Sequence, residues 1–293
     1  MTIKASDVKN LRDKTGLGMM ECKKALEAAG GNLEEAITNL RKNSALKAEK
    51  KSGRTAVEGI ILAEKTDKEI LFVEVNCETD FVAKDQNFLD FCNETLSSAT
   101  KKSSSENIFE EVSSAMEEKR MSLVQKIGEN IIIRKIEVIS GEITEFYIHS
   151  NRKIASGVSL ISGSEAVAKE ISMHIAATNP IVLSPEDLDK EFIEKEREIF
   201  RSQVENTDKP KEILEKMVEG KLNKQLADIS LLKQPFVKDP SKKIETFLSE
   251  SNSEIKSFVR LEVGEGIEIE KKDFAEEVQS QFCLLYTSPS PRD

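Results

Sequence analysis

Few side chains in this 293-residue sequence are of the types that make and break bonds. There are four cysteines (Cys22, Cys77, Cys92, Cys283) and two histidines (His149, His174). Cys77, with His149 or His174 as base, is the one conceivable nucleophile. It follows the apolar run Ile70, Leu71, Phe72, Val73, Val75, and a free cysteine in such a strand ordinarily packs in the core. His174 lies among Met173, Ile175 and Ala176 in helical sequence and reads as a packed histidine. The cysteines are far apart, with no Cys-x-x-Cys pair, which excludes a zinc site or a disulfide scaffold and fits a reducing cytosol. No Gly-x4-Gly-Lys-Ser/Thr motif is present to cradle a nucleoside triphosphate. Gly264-Glu265-Gly266 precedes an acidic segment and reads as a turn. What remains is recognition, at Thr79-Asp80-Phe81-Val82. There an acid and a large aromatic stand side by side where a strand gives way to a helix. The residues leave two readings open: Asp80 caps the next helix with Phe81 in the core, or the pair projects into a partner from a rigid scaffold.

Composition narrows the partner. Lys and Arg number 43 against 53 Asp and Glu, for a net charge of −10, which argues against a general nucleic-acid binder. Residues 1–54 nevertheless carry net +5, leaving −15 for the rest. A basic head on an acidic body suits docking to a protein of mixed charge, although a solvated basic face is the ordinary explanation. The start of the chain has neither a signal-peptide core nor transit-peptide composition. No apolar run approaches the roughly 20 residues of a membrane helix. A soluble intracellular protein is therefore expected, long enough at 293 residues for two or three domains and, at 38% hydrophobic, able to form real cores.

The elements follow from periodicity. Ser6 is a plausible N-cap before Val8 and Leu11, and Gly16 stops that helix. A second helix runs from Met19 to Ala29, and Asn32 with Glu35 opens a third. Residues 43–55, with few large apolar side chains, read as a mobile linker. Residues 56–76 suggest two strands around Thr66-Asp67-Lys68, then a helix from Asp85 to Ala99, another over 106–127 and a strand from Ile131 to Ile139. Residues 143–162 repeat the hairpin, with a turn at Ser150-Asn151 and a helix from Ser164 to Ala177. Each half is a sheet covered by helices. Ser184-Pro185-Glu186-Asp187 reads as a helix start. Stripes at Leu188, Phe192, Ile199 and at Ile213, Leu214, Met217, Val218, Leu222, separated by a break at 206–210, make an antiparallel helical hairpin of coiled-coil character. A last helix is expected from Lys272 to Val278. Residues 283–293 lack helical periodicity and are expected to be translated sequencing adaptor, with the natural end of the chain missing.

Two long motifs point to a family. Leu11-Arg12-Asp13-Lys14-Thr15-Gly16-Leu17-Gly18-Met19-Met20-Glu21-Cys22-Lys23-Lys24-Ala25-Leu26 resembles the first signature of the elongation factor Ts family, and Glu74-Val75-Asn76-Cys77-Glu78-Thr79-Asp80-Phe81-Val82-Ala83 its second. Shorter similarities occur at Lys126 to Asn130, Met173 to Ala177, Gln234 to Val237 and Glu262 to Gly266, so the likeness runs from about Ala5 to about Val278. The resemblance implies an α+β fold. Residues 1–54 would be a three-helix ubiquitin-associated-like domain with its linker, and 55–140 and 141–263 two related hairpin-plus-helix subdomains. The second would carry the helical hairpin at about 184–228, and 264–282 would be a short helical C-terminal module that also touches the partner.

The resemblance also implies function. The protein would be a guanine-nucleotide exchange factor binding GDP-bound and nucleotide-free elongation factor Tu in the bacterial cytoplasm. It would carry no cofactor, metal or catalytic chemistry of its own and contact neither nucleic acid nor membrane. The pair Asp80 and Phe81, within Thr79 to Val82, would act as a wedge near the partner's Mg²⁺ site. Met19, Met20, Lys23, Ile127, Gly128 and His149 would dock, although one of the two methionines packing inside the bundle is the plainer reading. The family links the helical hairpin with self-association, so a homodimer through it stands beside a hairpin packed only on itself. The alternative function is a non-catalytic adaptor or chaperone-like partner of a translational GTPase.

Overall fold

The computed structural model describes residues 3–204 and 210–268. The chain opens with three helices, α1 (Ala5–Thr15), α2 (Met19–Ala28) and α3 (Leu33–Ser52). Gly16 ends α1 in the left-handed conformation at φ 68°, where a Cβ would be strained. Asn32 caps α3 by accepting from the N–H groups of Glu34 and Glu35. Ser6 is not a cap: α1 begins one residue earlier, behind Lys4, without a side-chain cap. Val8, Leu11, Leu17, Cys22, Leu26, Ala36 and Leu40 close a small core of their own. The expected linker at 43–55 is helical as far as Ser52. Its Ala, Leu, Lys and Glu residues are strong helix formers. Ser44 and Ala48, one turn apart and buried, let α3 lie close against a later helix.

Next come β1 (Glu58–Lys65), β2 (Glu69–Cys77), α4 (Gln86–Thr100), α5 (Ile108–Ile127) and β3 (Ile131–Ser140). The strands pair antiparallel in the order β1-β2-β3. Then follow β4 (Ile143–Ile148), β5 (Ile154–Ser162), α6 (Glu165–Thr178), α7 (Lys190–Val204), α8 (Lys211–Ile229), β6 (Pro235–Phe236), β7 (Asp239–Lys243), α9 (Ile244–Glu250) and β8 (Glu254–Glu262). The second large sheet has the order β4-β5-β8. In each half a hairpin leads into a helix, and a later strand returns to the hairpin's second strand.

The two sheets meet through Ile61, Ile70, Phe72 and Ile139 on one side and Ala155, Leu261, Phe146 and Val259 on the other. Phe72 and Phe146 pack edge to face with ring centroids 6.2 Å apart. Lys65 pins the halves together, donating to Glu145 at 2.7 Å and Glu165 at 2.8 Å. Helices α4 and α5 cover the outer face of the first sheet, while α6, α9 and Leu231 to Phe236 cover the second. The result is a helix–sheet–sheet–helix stack, an α+β fold.

Strand β8 is not apparent in the sequence pattern. Its register slips opposite Leu160, so period-2 alternation fails. Ile255 and Phe258 pack under the helices of the second half, whereas Val259 and Leu261 face the other sheet. The start of the helical hairpin also differs. Ser184 does form a capping box with Asp187, but it opens a single 3-10 turn, and α7 begins at Lys190. Val204, Val218 and Leu222 are buried. Ile199 and Ile213, placed in the stripes from sequence, are exposed. Most of the expected break at 206–210, the helix at 272–278 and the tail 283–293 lie outside the described residues.

Candidate functional site

Strand β2 is buried along nearly its whole length and ends at Cys77, leaving 78–85 to reach α4. Asp85 caps α4, accepting from Asn87 N–H at 2.9 Å. Asp80 is therefore not the cap. Val82 begins a 3-10 turn to Lys84, and Val82 and Ala83 anchor that turn in the core. Thr79 organises the bend: its carbonyl accepts from Ala83 N–H at 3.2 Å and from the Cys77 thiol at 3.2 Å. Its hydroxyl oxygen accepts from Val82 N–H at 3.4 Å.

A second loop braces this one from outside. Helix α5 stops at Gly128, which is left-handed at φ 90°, and Glu129 and Asn130 lead into β3. Glu129 Oε2 accepts from the N–H groups of Glu78 and Thr79 at 3.1 and 3.0 Å, and its Oε1 accepts from the Thr79 hydroxyl at 2.7 Å. In return the Glu78 carboxylate accepts from Asn130 N–H at 2.7 Å. The Asn130 amide donates to the carbonyls of Ser52 and Arg54, and Lys51 donates to the Gly128 carbonyl. The ends of β2, α5 and α3 are thus tied together by hydrogen bonds. Nothing in residue type or spacing marks Glu78, Glu129 and Asn130 as a brace. Glu129 lies 50 residues from Thr79, and only its place beside Gly128 in a motif hinted at it.

On this brace Asp80 and Phe81 project. Phe81 is 81% exposed, so it is not a core residue. Asp80 pairs with Lys84 at 2.8 Å, and the hydrogen bond from Lys84 holds its carboxyl below the usual value. A phenylalanine forgoes about 1.5–3 kcal/mol by remaining in water, which a partner's apolar pocket would recover.

The other expected positions fall as follows. Met19 and Met20 are both exposed, at 45% and 66%, so neither packs inside the bundle. Between them and Lys23, Glu21 accepts from Gln125 at 2.8 Å, joining α2 to α5 just before Ile127 and Gly128. Lys23 is exposed beside Glu27. Ile127 is partly buried against the first core, and Gly128 forms the C-cap. His149 is exposed in the β4–β5 turn, its Nδ1 3.1 Å from the Tyr147 hydroxyl. That turn reaches the loop end of the first sheet through Lys153, which forms an ion pair at 2.6 Å with Glu58, the cross-strand partner of Cys77.

The nucleophile reading fails on geometry. Cys77 is fully buried, and burial, followed by the charges of Glu129 and Glu58, pushes its thiol up to about 12. His174 is buried and held at both nitrogens: Val237 N–H donates to Nδ1 at 3.3 Å, and Nε2 stands 3.0 Å from Gln234 Oε1. Burial pushes its pKa down. Two of the shorter motifs thereby meet in one packed knot. Among the described residues no group of three His, Cys, Asp or Glu side chains is arranged to hold a metal ion, and no helix is long and apolar enough to cross a membrane.

Residues 78–265 match the family model described as Elongation factor TS. Over 278 residues the chain is 50% identical to the elongation factor Ts of Marinobacter nauticus, covering 94% of this chain and 96% of that protein. It is 49% identical to that of Hahella chejuensis over 95% and 98% of the two chains. It is 47% identical to that of Shewanella amazonensis over 97% and 98%. With a family model matched over more than half its length and relatives aligned almost end to end, the chain belongs to the elongation factor Ts family.

Proposed function

We propose that this protein binds elongation factor Tu and accelerates release of its GDP, with Thr79 to Val82 as the wedge. The observation that carries the reading is Phe81, exposed beside an exposed carboxylate on a loop whose backbone is braced from outside. Exchange requires no bond-making residue on the factor. A tightly held nucleotide depends on its metal, on backbone amides around the phosphates and on ordered switch loops. A factor that prefers the nucleotide-free partner weakens GDP binding by the same ratio, because linkage is reciprocal. Phe81 would occupy an apolar pocket between helices, while Asp80 competes for polar contacts around the metal. Met19, Met20, Lys23, Ile127, Gly128 and His149 would supply docking area, and the site of action would be the bacterial cytoplasm.

The test is to load elongation factor Tu with fluorescent GDP and time its release with and without the protein and an Asp80→Ala/Phe81→Ala variant. Acceleration by the native chain, lost in a variant that still binds, is expected. Tight binding by the native chain with no acceleration would replace exchange by an adaptor role.

A further inference from the structure

We infer that Glu129 is the positioning residue of the wedge, fixing where Asp80 and Phe81 stand relative to the docking residues Ile127 and Gly128 at the end of α5. This rests on the wedge reading of Thr79 to Val82. Both oxygens of the Glu129 carboxylate are committed to that one loop, taking two backbone N–H groups and the Thr79 hydroxyl. Among the described residues no Lys or Arg forms an ion pair with it, so its charge is met by the wedge's own donors. The bond from the Thr79 hydroxyl, at 2.7 Å, is short, and the two from backbone N–H groups are of ordinary length. Three from one carboxylate hold Glu78 and Thr79 against rotation about two successive residues. Phe81 lies two residues beyond, with nothing packed over its ring to hold it in place.

Glu129 also stands where a positioning residue must. It directly follows Gly128, whose left-handed backbone turns the chain out of α5, and it directly precedes Asn130, whose N–H answers the Glu78 carboxylate. The bracing is thus reciprocal, Glu129 to 78–79 and Glu78 to 130. A partner that seats on Ile127 and Gly128 therefore meets Phe81 at a set distance and angle. Without Glu129 the wedge remains attached at Val82 and Ala83, which are buried, but its leading residues lose their bearing. Orientation can be worth much in rate: where reacting groups must be aligned, a displacement of about 1 Å can cost roughly a hundredfold.

The experiment uses the full chain and elongation factor Tu loaded with fluorescent GDP. Native protein is compared with Glu129→Ala, Glu129→Gln, Thr79→Val, the Glu129→Ala/Thr79→Val double variant and Asp80→Ala/Phe81→Ala, each with a thermal melt. Glu129→Ala is expected to lower the release rate at saturating factor by roughly ten- to a hundredfold, with the concentration for half-maximal effect little changed. Glu129→Gln should recover most of that rate, since its carbonyl oxygen still accepts both N–H groups. Thr79→Val should lose less than Glu129→Ala, and the double variant no more than Glu129→Ala alone, because the two share one interaction. A folded Glu129→Ala with the native saturating rate overturns the inference. If Glu129→Ala does not fold, a native rate in Thr79→Val overturns it instead. Should Asp80→Ala/Phe81→Ala retain the native rate, the wedge reading itself fails; should that variant lose its rate while Glu129→Ala does not, only the role of Glu129 fails.

Discussion

The same joint occurs twice in this fold and is built in two ways. In the first half β2 reaches α4 through eight residues, 78–85; in the second β5 reaches α6 through two, Gly163 and Ser164. Both end on a side-chain cap, Asp85 accepting from Asn87 N–H and Ser164 from Val167 N–H. The short version shows what folding requires: a glycine at φ 128° to turn the chain and a hydroxyl to start the helix. The long version adds a segment whose Val82 and Ala83 reach the core but whose Asp80 and Phe81 do not. The difference is a pair of residues that folding does not need, carried on a loop whose neighbouring backbone is braced.

Four measurements break or sharpen that contrast. The largest effect is expected from Phe81→Ala, which should lose about 2 kcal/mol or more of coupling to the partner, as at an interface anchor. Its melting stability should stay within about 0.5 kcal/mol of native, as for an exposed side chain. A large loss of stability would instead make the long joint structural. Gly157→Ala should do the reverse. A Cβ there would stand 2.7 Å from the Phe72 ring, so about 1–3 kcal/mol of stability should be lost by overpacking. The saturating exchange rate of the folded fraction should be unchanged.

Ser164→Ala, in the short joint, should cost about 1 kcal/mol of stability through the lost cap and leave exchange untouched. Slower release from that variant would place function in both joints. The smallest effect is acid sensitivity from His174. Its folded pKa lies below the unfolded value of about 6.5, so the unfolded chain binds more protons as pH falls through that value. Stability contributed here is present above about 6.5 and is lost on acidification below it. Denaturant melts at several pH values should show that slope, and His174→Gln should flatten it.

Much of this was legible in sequence, and the failures have definite causes. Hairpins announced themselves by apolar segments on either side of the turns at Thr66-Asp67-Lys68 and Ser150-Asn151, and Asn32 marked the start of α3. The end of α3 did not, because Ser44 and Ala48 bury through smallness, which a search for large apolar side chains passes over. Strand β8 was hidden by its slipped register. At the candidate site the residues alone left Phe81 undecided between core and surface, and the family motif leaned toward the surface. The brace was beyond reach, since Glu129 and Thr79 are neighbours only once the ends of two strands and a helix have converged.

Strand β8 also sets a timetable for synthesis. The first sheet is complete once residue 140 has been made, but β5 keeps an open edge until 254–262 emerge roughly 90 residues after its own end. At about 5–20 residues per second this is an interval of ~5–20 s. Throughout it the face of the first sheet around Ile61, Ile70 and Phe72 has only an unfinished partner sheet to cover it. An unpaired strand edge beside an apolar surface is what aggregation and chaperones both seize. Ribosome-stalled chains ending after residue 140 should therefore already protect β2 from protease, while β5 should gain protection only in chains that extend past 262. Equal protection of β5 in chains stopped before 254 would show that the second half closes without its last strand.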